Sequence, residues 1–289
     1  MPTSASNPGR DDQQEPHRPQ QQPHRHRQVA ESFGVDAPRY DRARPRYPDE
    51  LVRMIIDAGQ HVEGRAPRVL DVGCGTGIAA RQFQAAGCEV LGVEPDARMA
   101  RFARSSGVDV EVVTFEDWEP AGRTFDVVFA ATAWHWVDPV VGPGKAARVL
   151  RRGGVLVVFS HVFELPGELA ESFAASYRRV APDGPFAVDR ASGRSAVRMY
   201  LAGYAKVAGD IRRAGGFAEP KQSRFDWRRE FTRAQWLDVA PTTGVLTHLS
   251  ASARARVLDD LGAAIDAMGG GFTMSSTTLA LTAIRTESS

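Results

Sequence analysis

The sequence predicts an α/β fold, a doubly wound and mostly parallel sheet with helices on both faces. Three observations lead there. From residue 68 onward, short apolar runs alternate with amphipathic stretches, the mark of successive βαβ units. The runs are apolar on consecutive positions, as strands covered on both faces require. The first run, "VLDVGCGTG" at 69–77, breaks into three glycines beyond the end of a strand, where such sheets bind ligands.

The elements follow in order. "RVLDV" (68–72) reads as a strand and "TGIAARQFQAAG" (76–87) as a helix closed by Gly87. "EVLGVE" (89–94) is a second strand and "PDARMARFARSS" (95–106) a second helix. "VEVVTF" (110–115) and "FDVVFAAT" (125–132) are strands three and four. "PVVGPGKAARVLR" (139–151) starts irregularly, because of Gly142, Pro143 and Gly144, and then turns helical. "GVLVVF" (154–159) is strand five. A helix follows Pro166, with Phe173, Tyr177 and Val180 on one face, and another helical piece spans 197–216. "SRFDWRREF" (223–231) alternates like a strand, Thr232 caps the next helix, a long helical stretch runs to Gly269, and "FTMSSTTLALTAIR" (272–285) is a last strand.

The glycine spacing excludes two common ligand loops. A dinucleotide loop would place its third glycine at 78, which is Ile78. A phosphate loop would end in Gly-Lys-Ser/Thr, whereas "GKA" at 144–146 fails at its third position and stands elsewhere in the chain. Acids fill the strand ends instead. Asp71 stands at the tip of strand one, Glu94 ends strand two beside Pro95, and Glu116 and Asp117 follow strand three. A carboxylate at the second strand end suits the two hydroxyls of a ribose, and one after the third suits an adenine amino group. Three acidic tips in register with a bare loop point to one cationic, ribose-bearing ligand.

Composition fits a globular chain: 289 residues, 43% hydrophobic and 25% charged, with a net charge of +1. That balance supplies no strong field toward nucleic acid or an anionic membrane, and no run is long enough to cross a bilayer. The two cysteines, Cys74 and Cys88, make no disulfide framework and lack metal-ligand spacing, which fits a reducing cytoplasm. Residues 1–28, rich in Pro, Gln, His and Arg, are expected to be a disordered tail. His17, His24 and His26 within it read as part of a solvated segment, the alternative being weak metal binding, and no metal site is expected. Residues 29–289 are expected to form one domain, with a ligand-binding core over 45–160 and the remainder over 161–289.

"VLDVGCGTG", "VLGVEPDARMA", "VVTFEDW", "FDVVFAATAWHWVDP" and "ARVLRRGGVLVVF", in that order and spacing, resemble the class I S-adenosylmethionine-dependent methyltransferases over about residues 68–159. "FGVDAPRYDRARPRYPDELV" (33–52) and the Trp-His-Trp after strand four resemble a small-molecule, type 11-like branch that includes enzymes acting on small carboxylic acids such as trans-aconitate. The resemblance implies a seven-stranded, Rossmann-like methyltransferase sheet with an antiparallel edge strand and inserted lid helices. It implies S-adenosyl-L-methionine as cofactor and methyl transfer to a small molecule by in-line displacement.

Carried over by position, the resemblance places Gly73, Gly75 and the backbone of Cys74 under the methionine part of the cofactor. Asp71 holds its amino group, directly or through water, and Glu94 its ribose hydroxyls. Pro95 and Met99 line the adenine side. Phe115 and Glu116 frame the adenine edge, with Asp117 a competing choice. Tyr40 and Arg44 close over the α-carboxylate, which the loop's exposed N–H groups also serve. His135 is the candidate base, the other reading being a packed histidine between Trp134 and Trp136. At least one of those tryptophans forms a pocket wall, the alternative being that both are core, and His161 is a second polar candidate. Two other functions stay open: a non-catalytic S-adenosylmethionine-binding protein and a nucleic-acid methyltransferase. Against the latter, "AATAWHWV" lacks the Asn/Asp-Pro-Pro-aromatic stretch of enzymes that methylate base amino groups, and no basic, aromatic-interleaved extension is present.

Overall fold

The computed structural model describes residues 33–59, 64–184, 196–247 and 249–286; the reading of residues 1–28 as a tail lies outside them. Seven strands form one sheet in the order β3-β2-β1-β4-β5-β7-β6. They are β1 (Arg68–Val72), β2 (Glu89–Val93), β3 (Asp109–Glu111), β4 (Phe125–Ala131), β5 (Leu150–Glu164), β6 (Lys221–Thr232) and β7 (Gly271–Ile284). The first five pair in parallel, and β7 runs antiparallel to both β5 and β6. Strand order reverses between β1 and β4, so the end of β1 opens at the switch point.

Both faces of the sheet are covered. Leu70, Val72, Val128, Ala130, Leu156 and Val158 face one core layer, under α5 (Val141–Val149) and α7 (Ala196–Ala214). Their chain neighbours Val69, Val127, Phe129, Val155, Val157 and Phe159 face the other, under α2 (Asp49–Ala58), α3 (Ile78–Ala85) and α4 (Ala97–Ser105). The two-residue period of a strand therefore sends consecutive apolar residues into two different cores.

A third core forms beyond the strand ends. It gathers Leu169 and Tyr177 of α6 (Gly167–Val180), Trp236 and Val239 of α8 (Arg233–Val239), Leu246 of α9 (Gly244–Thr247), and Val257, Leu261 and Ile265 of α10 (Ala251–Ala267). This is the lid. Its helices come from two insertions, one after β5 and one between β6 and β7. Thr232 caps α8 with a full capping box, its side chain taking the Gln235 N–H while Gln235 takes the Thr232 N–H.

Three elements depart from the sequence reading. β3 stops at Glu111, because the chain turns at Thr114, whose hydroxyl and carbonyl take the N–H groups of Asp117 and Trp118. The helix after strand four includes Gly142, Pro143 and Gly144 in its first turn, where a proline's missing N–H costs nothing. β5 runs on to Glu164, held by a ladder with β7 from Val155↔Ile284 to Glu164↔Ser275, so His161 lies within the strand.

Candidate functional site

The loop after β1 folds against β2 through its own backbone. Gly73 and Cys74 both donate their N–H to the Val93 carbonyl, at 2.8 and 3.2 Å. Gly75 donates to Glu94 Oε2 at 2.8 Å, and Gly77 donates to the Cys74 carbonyl at 2.9 Å. Gly73 has φ +68°, and a Cβ there would stand 2.6 Å from that of Ala133. Gly75 has φ +56° and open space where a side chain would project. The N–H groups of residues 73–75 are thus spent inside the protein, which corrects the expectation that they face a ligand's carboxylate.

Beside this loop lies a cavity of about 630 Å³ between the strand ends and the lid. Among the predicted site residues, Tyr40, Arg44, Gly73, Gly75, Glu94, Pro95, Met99, Phe115, Glu116, His135, Trp136 and His161 line it. A side pocket of about 50 Å³ adjoins the loop, where Cys74, Thr76 and Tyr47 join Tyr40, Arg44 and His161.

Glu94 is buried, and its Oε1 accepts the Asp96 N–H at 2.9 Å. Burial pushes its pKa up to about 7, against the pull of the two backbone donors. Asp71 is fully buried, lines neither cavity, and has no hydrogen-bond partner in bonding geometry on either oxygen. Burial first, and the nearby Glu94 second, raise its pKa well above the usual carboxylate range, while the Ala80 backbone opposes them. It sits behind the loop, so the direct contact expected of Asp71 is not one its position offers.

Two more expectations fall to local geometry. Asp117 turns back, its Oδ2 accepting the Thr114 hydroxyl at 2.8 Å, and it does not line the cavity. Trp134 belongs to the core, 6.3 Å from Phe115 between ring centroids and packed under Gly142. The short 3₁₀ turn Trp134–Trp136 points its residues different ways, so Trp136 takes the wall and His135 is exposed at the mouth.

His161 is buried and stacks on Tyr47, centroids 4.3 Å apart. Its Nδ1 pairs with Thr278 Oγ1 at 2.9 Å, and its Nε2 has no partner. Burial, then the charge of Arg44, lower its pKa to about 3, against the carbonyls of Pro45 and Arg46. Arg44 lies over the Tyr40 ring at 5.1 Å and donates from Nη2 to the Thr242 carbonyl at 2.6 Å. Its buried Nε is unpartnered.

Sequence reasoning missed three supports. Lys145 of α5 is buried and donates its Nζ to the carbonyls of Glu116, at 2.8 Å, and Trp118, fixing the turn that carries Phe115 and Glu116. Tyr47 gives or takes a 2.9 Å hydrogen bond with Thr132, which holds φ +58° at the end of β4. Asp238 of α8 accepts from Arg39 at 3.0 Å and Arg42 at 3.0 and 3.1 Å, which ties the lid to α1 (Ala37–Ala43). A lysine on an amphipathic helix and paired surface charges carry no local signal of such partners. Among the described residues, no group of three or more His, Cys, Asp or Glu is placed to hold a metal, and no helix is long and apolar enough to cross a membrane.

Residues 70–158 match the family described as Methyltransferase domain. An uncharacterized methyltransferase of Mycobacterium tuberculosis is 36% identical over 127 residues, 43% of this chain and 50% of that protein. A malonyl-[acyl-carrier protein] O-methyltransferase of Enterobacter lignolyticus is 31% identical over 157 residues, 51% of this chain and 59% of that one. The chain spans about half the length of the curated relatives it matches. A solved structure from Anaeromyxobacter dehalogenans, described as that of a proposed type II methyltransferase, shares the fold, with TM-score 0.57 at 23% identity over 84% of this chain and 97% of that chain.

Proposed function

We propose, on the match of residues 70–158 to the methyltransferase domain family, that the chain moves a methyl group from S-adenosylmethionine onto a small-molecule acceptor. The observation that carries this reading is Glu94, a buried carboxylate on the cavity wall, oriented by the N–H groups of Gly75 and Asp96. Each of its oxygens keeps a lone pair for a ligand hydroxyl. The donor set fits the rest of the cofactor. Pro95, Met99 and Phe115 give apolar surface for a purine, and Glu116 an acceptor at its edge. The unpartnered Arg44 Nε, with Tyr40 beneath it, suits an α-carboxylate.

When bound, the cofactor supplies an electrophilic methyl carbon whose bond to sulfur breaks as the bond to the acceptor heteroatom forms. The chain's contribution is mostly alignment, at best worth about 7–11 kcal/mol. Trp136 and the lid fix the acceptor's approach and exclude water. The acidic tips favour a cation at the loop: Asp71 and Glu94 sit uneasily as buried anions without one. A hydroxyl or amine acceptor gives its proton to the His135 ring at the mouth, whereas a carboxylate acceptor needs no base. His161, with its pKa near 3, is neutral at physiological pH and too weak a base for that task.

Calorimetry with S-adenosylhomocysteine tests the reading. Saturable binding that weakens in Glu94→Ala is expected, together with tritiated-methyl transfer to a small molecule in cell extract. Well-folded chain that gives no heat would refute it.

A further inference from the structure

The cavity has two ends of different chemistry. Glu94 and Glu116 stand at the strand tips, and Arg44 is the one other charged side chain among the described lining residues. The opposite end is walled by Phe163, Leu165, Phe173, Trp236, Leu246 and Leu261, drawn from β5, the link that follows it and four lid helices. Among the described lining residues, the lid supplies no lysine and no acid. Among the described lining residues, a small polyanion entering there would find a single guanidinium, already engaged with the Thr242 carbonyl and the Tyr40 ring.

One neutral donor remains unspent at this end. Trp236 is 4% exposed, lines the cavity, and its Nε1–H has no partner. A buried N–H without an acceptor costs free energy that an oxygen of a ligand would recover.

Building on the methyl-transfer reading, we propose that the acceptor is a neutral, bulky, largely apolar molecule, a fused aromatic or alicyclic ring system, whose oxygen accepts from Trp236. Small polycarboxylates, the substrates of the branch that the N-terminal segment resembles, do not suit this end. The apolar walls bind the ring body, and the indole N–H holds one oxygen, which fixes how the ring is turned.

Equilibrium dialysis of the full chain, saturated with S-adenosylhomocysteine, against 1-naphthol, naphthalene and citrate tests this. Both aromatic probes are expected to bind and citrate not to. Trp236→Phe should weaken 1-naphthol about fivefold and leave naphthalene unchanged, a split that loosened packing alone would not produce. Phe173→Asp, on the half-buried wall, should abolish both aromatics with S-adenosylhomocysteine binding intact. Citrate binding more tightly than 1-naphthol, or neither aromatic binding while S-adenosylhomocysteine does, overturns the proposal. Equal losses of both aromatics in Trp236→Phe overturn its donor half. Absence of S-adenosylhomocysteine binding instead overturns the methyl-transfer reading beneath it.

Discussion

Glu94 and Gly75 meet across the first loop, the carboxylate Oε2 accepting the glycine N–H at 2.8 Å. The bond locks the loop to the tip of β2, and it places an acid with a pKa of about 7 on the cavity wall.

One consequence concerns stability. The ordinary value is 4.5, so between about pH 4.5 and 7 the folded chain keeps a proton on Glu94 that the unfolded chain has released. The stability this group contributes is present below that window and is lost as pH rises through it, by on the order of 3 kcal/mol. Asp71 acts in the same sense. The ligand-free chain should melt at a higher temperature near pH 5.5 than near pH 7.5, apart from other groups. Glu94→Gln should flatten that slope, and scanning fluorimetry across pH reads it.

Ligand binding should run the other way. Ribose hydroxyls donate to the ionised carboxylate, so binding draws the Glu94 pKa down and releases a proton. S-adenosylhomocysteine should bind roughly tenfold more tightly at pH 7.5 than at pH 5.5. Calorimetry in buffers of different ionisation heat would count that proton, and Glu94→Gln should remove both effects.

At the mouth, His135→Ala should lower turnover of a hydroxyl acceptor by roughly 10²-fold or more. Affinity for S-adenosylhomocysteine should stay within a factor of about two, because the cofactor positions are borne by other side chains. Steady-state rates paired with calorimetry give both numbers. Equal turnover would leave His135 without a role as the base.

Lys145→Met should loosen the turn behind Phe115 and Glu116. It strips the donor from two carbonyls, those of Glu116 and Trp118, at a cost of about 1–3 kcal/mol for each left unsatisfied. A lower melting temperature and several-fold weaker S-adenosylhomocysteine binding are expected together. A fall in melting temperature with unchanged affinity would separate the turn from the site.

Asp126, with no exposed side-chain surface, sits at the far end of β4 and accepts from Arg65, Arg151 and the Arg68 N–H. Burial alone would raise its pKa, but the hydrogen bonds from Arg65 and Arg151 outweigh it and hold the carboxyl below the usual range. Asp126→Asn should cost about 3 kcal/mol, measurable by urea titration. The stabilisation is present above the ordinary carboxylate range and lost as pH falls through the lowered value.

Much of the parallel sheet could be read from the chain because its signals are local. β1 keeps the predicted limits, 68–72, and β2 comes within one residue of them. β3 departs from its expected limits for the opposite reason: "VEVVTF" has strand composition, but Thr114 offers the backbone a turn that competes with the ladder. Among the site residues, those whose backbone position fixes their direction reached the cavity, as Glu94, Met99 and Phe115 did. Trp134 and Asp117 lie within two residues of the wall but face elsewhere, since one step of a turn reverses a side chain. Trp236 could not have been found from periodicity, because its ring partners, Phe231 and Phe272, come from β6 and β7.

The grip of Arg39 and Arg42 on Asp238 is a fastener made of ions at the water's edge, with the two arginine side chains 41% and 63% exposed. Such a fastener is weak when dissolved salt crowds it and firm when salt is scarce. Roof and N-terminal strap therefore share a seam whose tightness the surrounding solution sets, and the pace at which the hollow beneath trades its contents should quicken as salt is added.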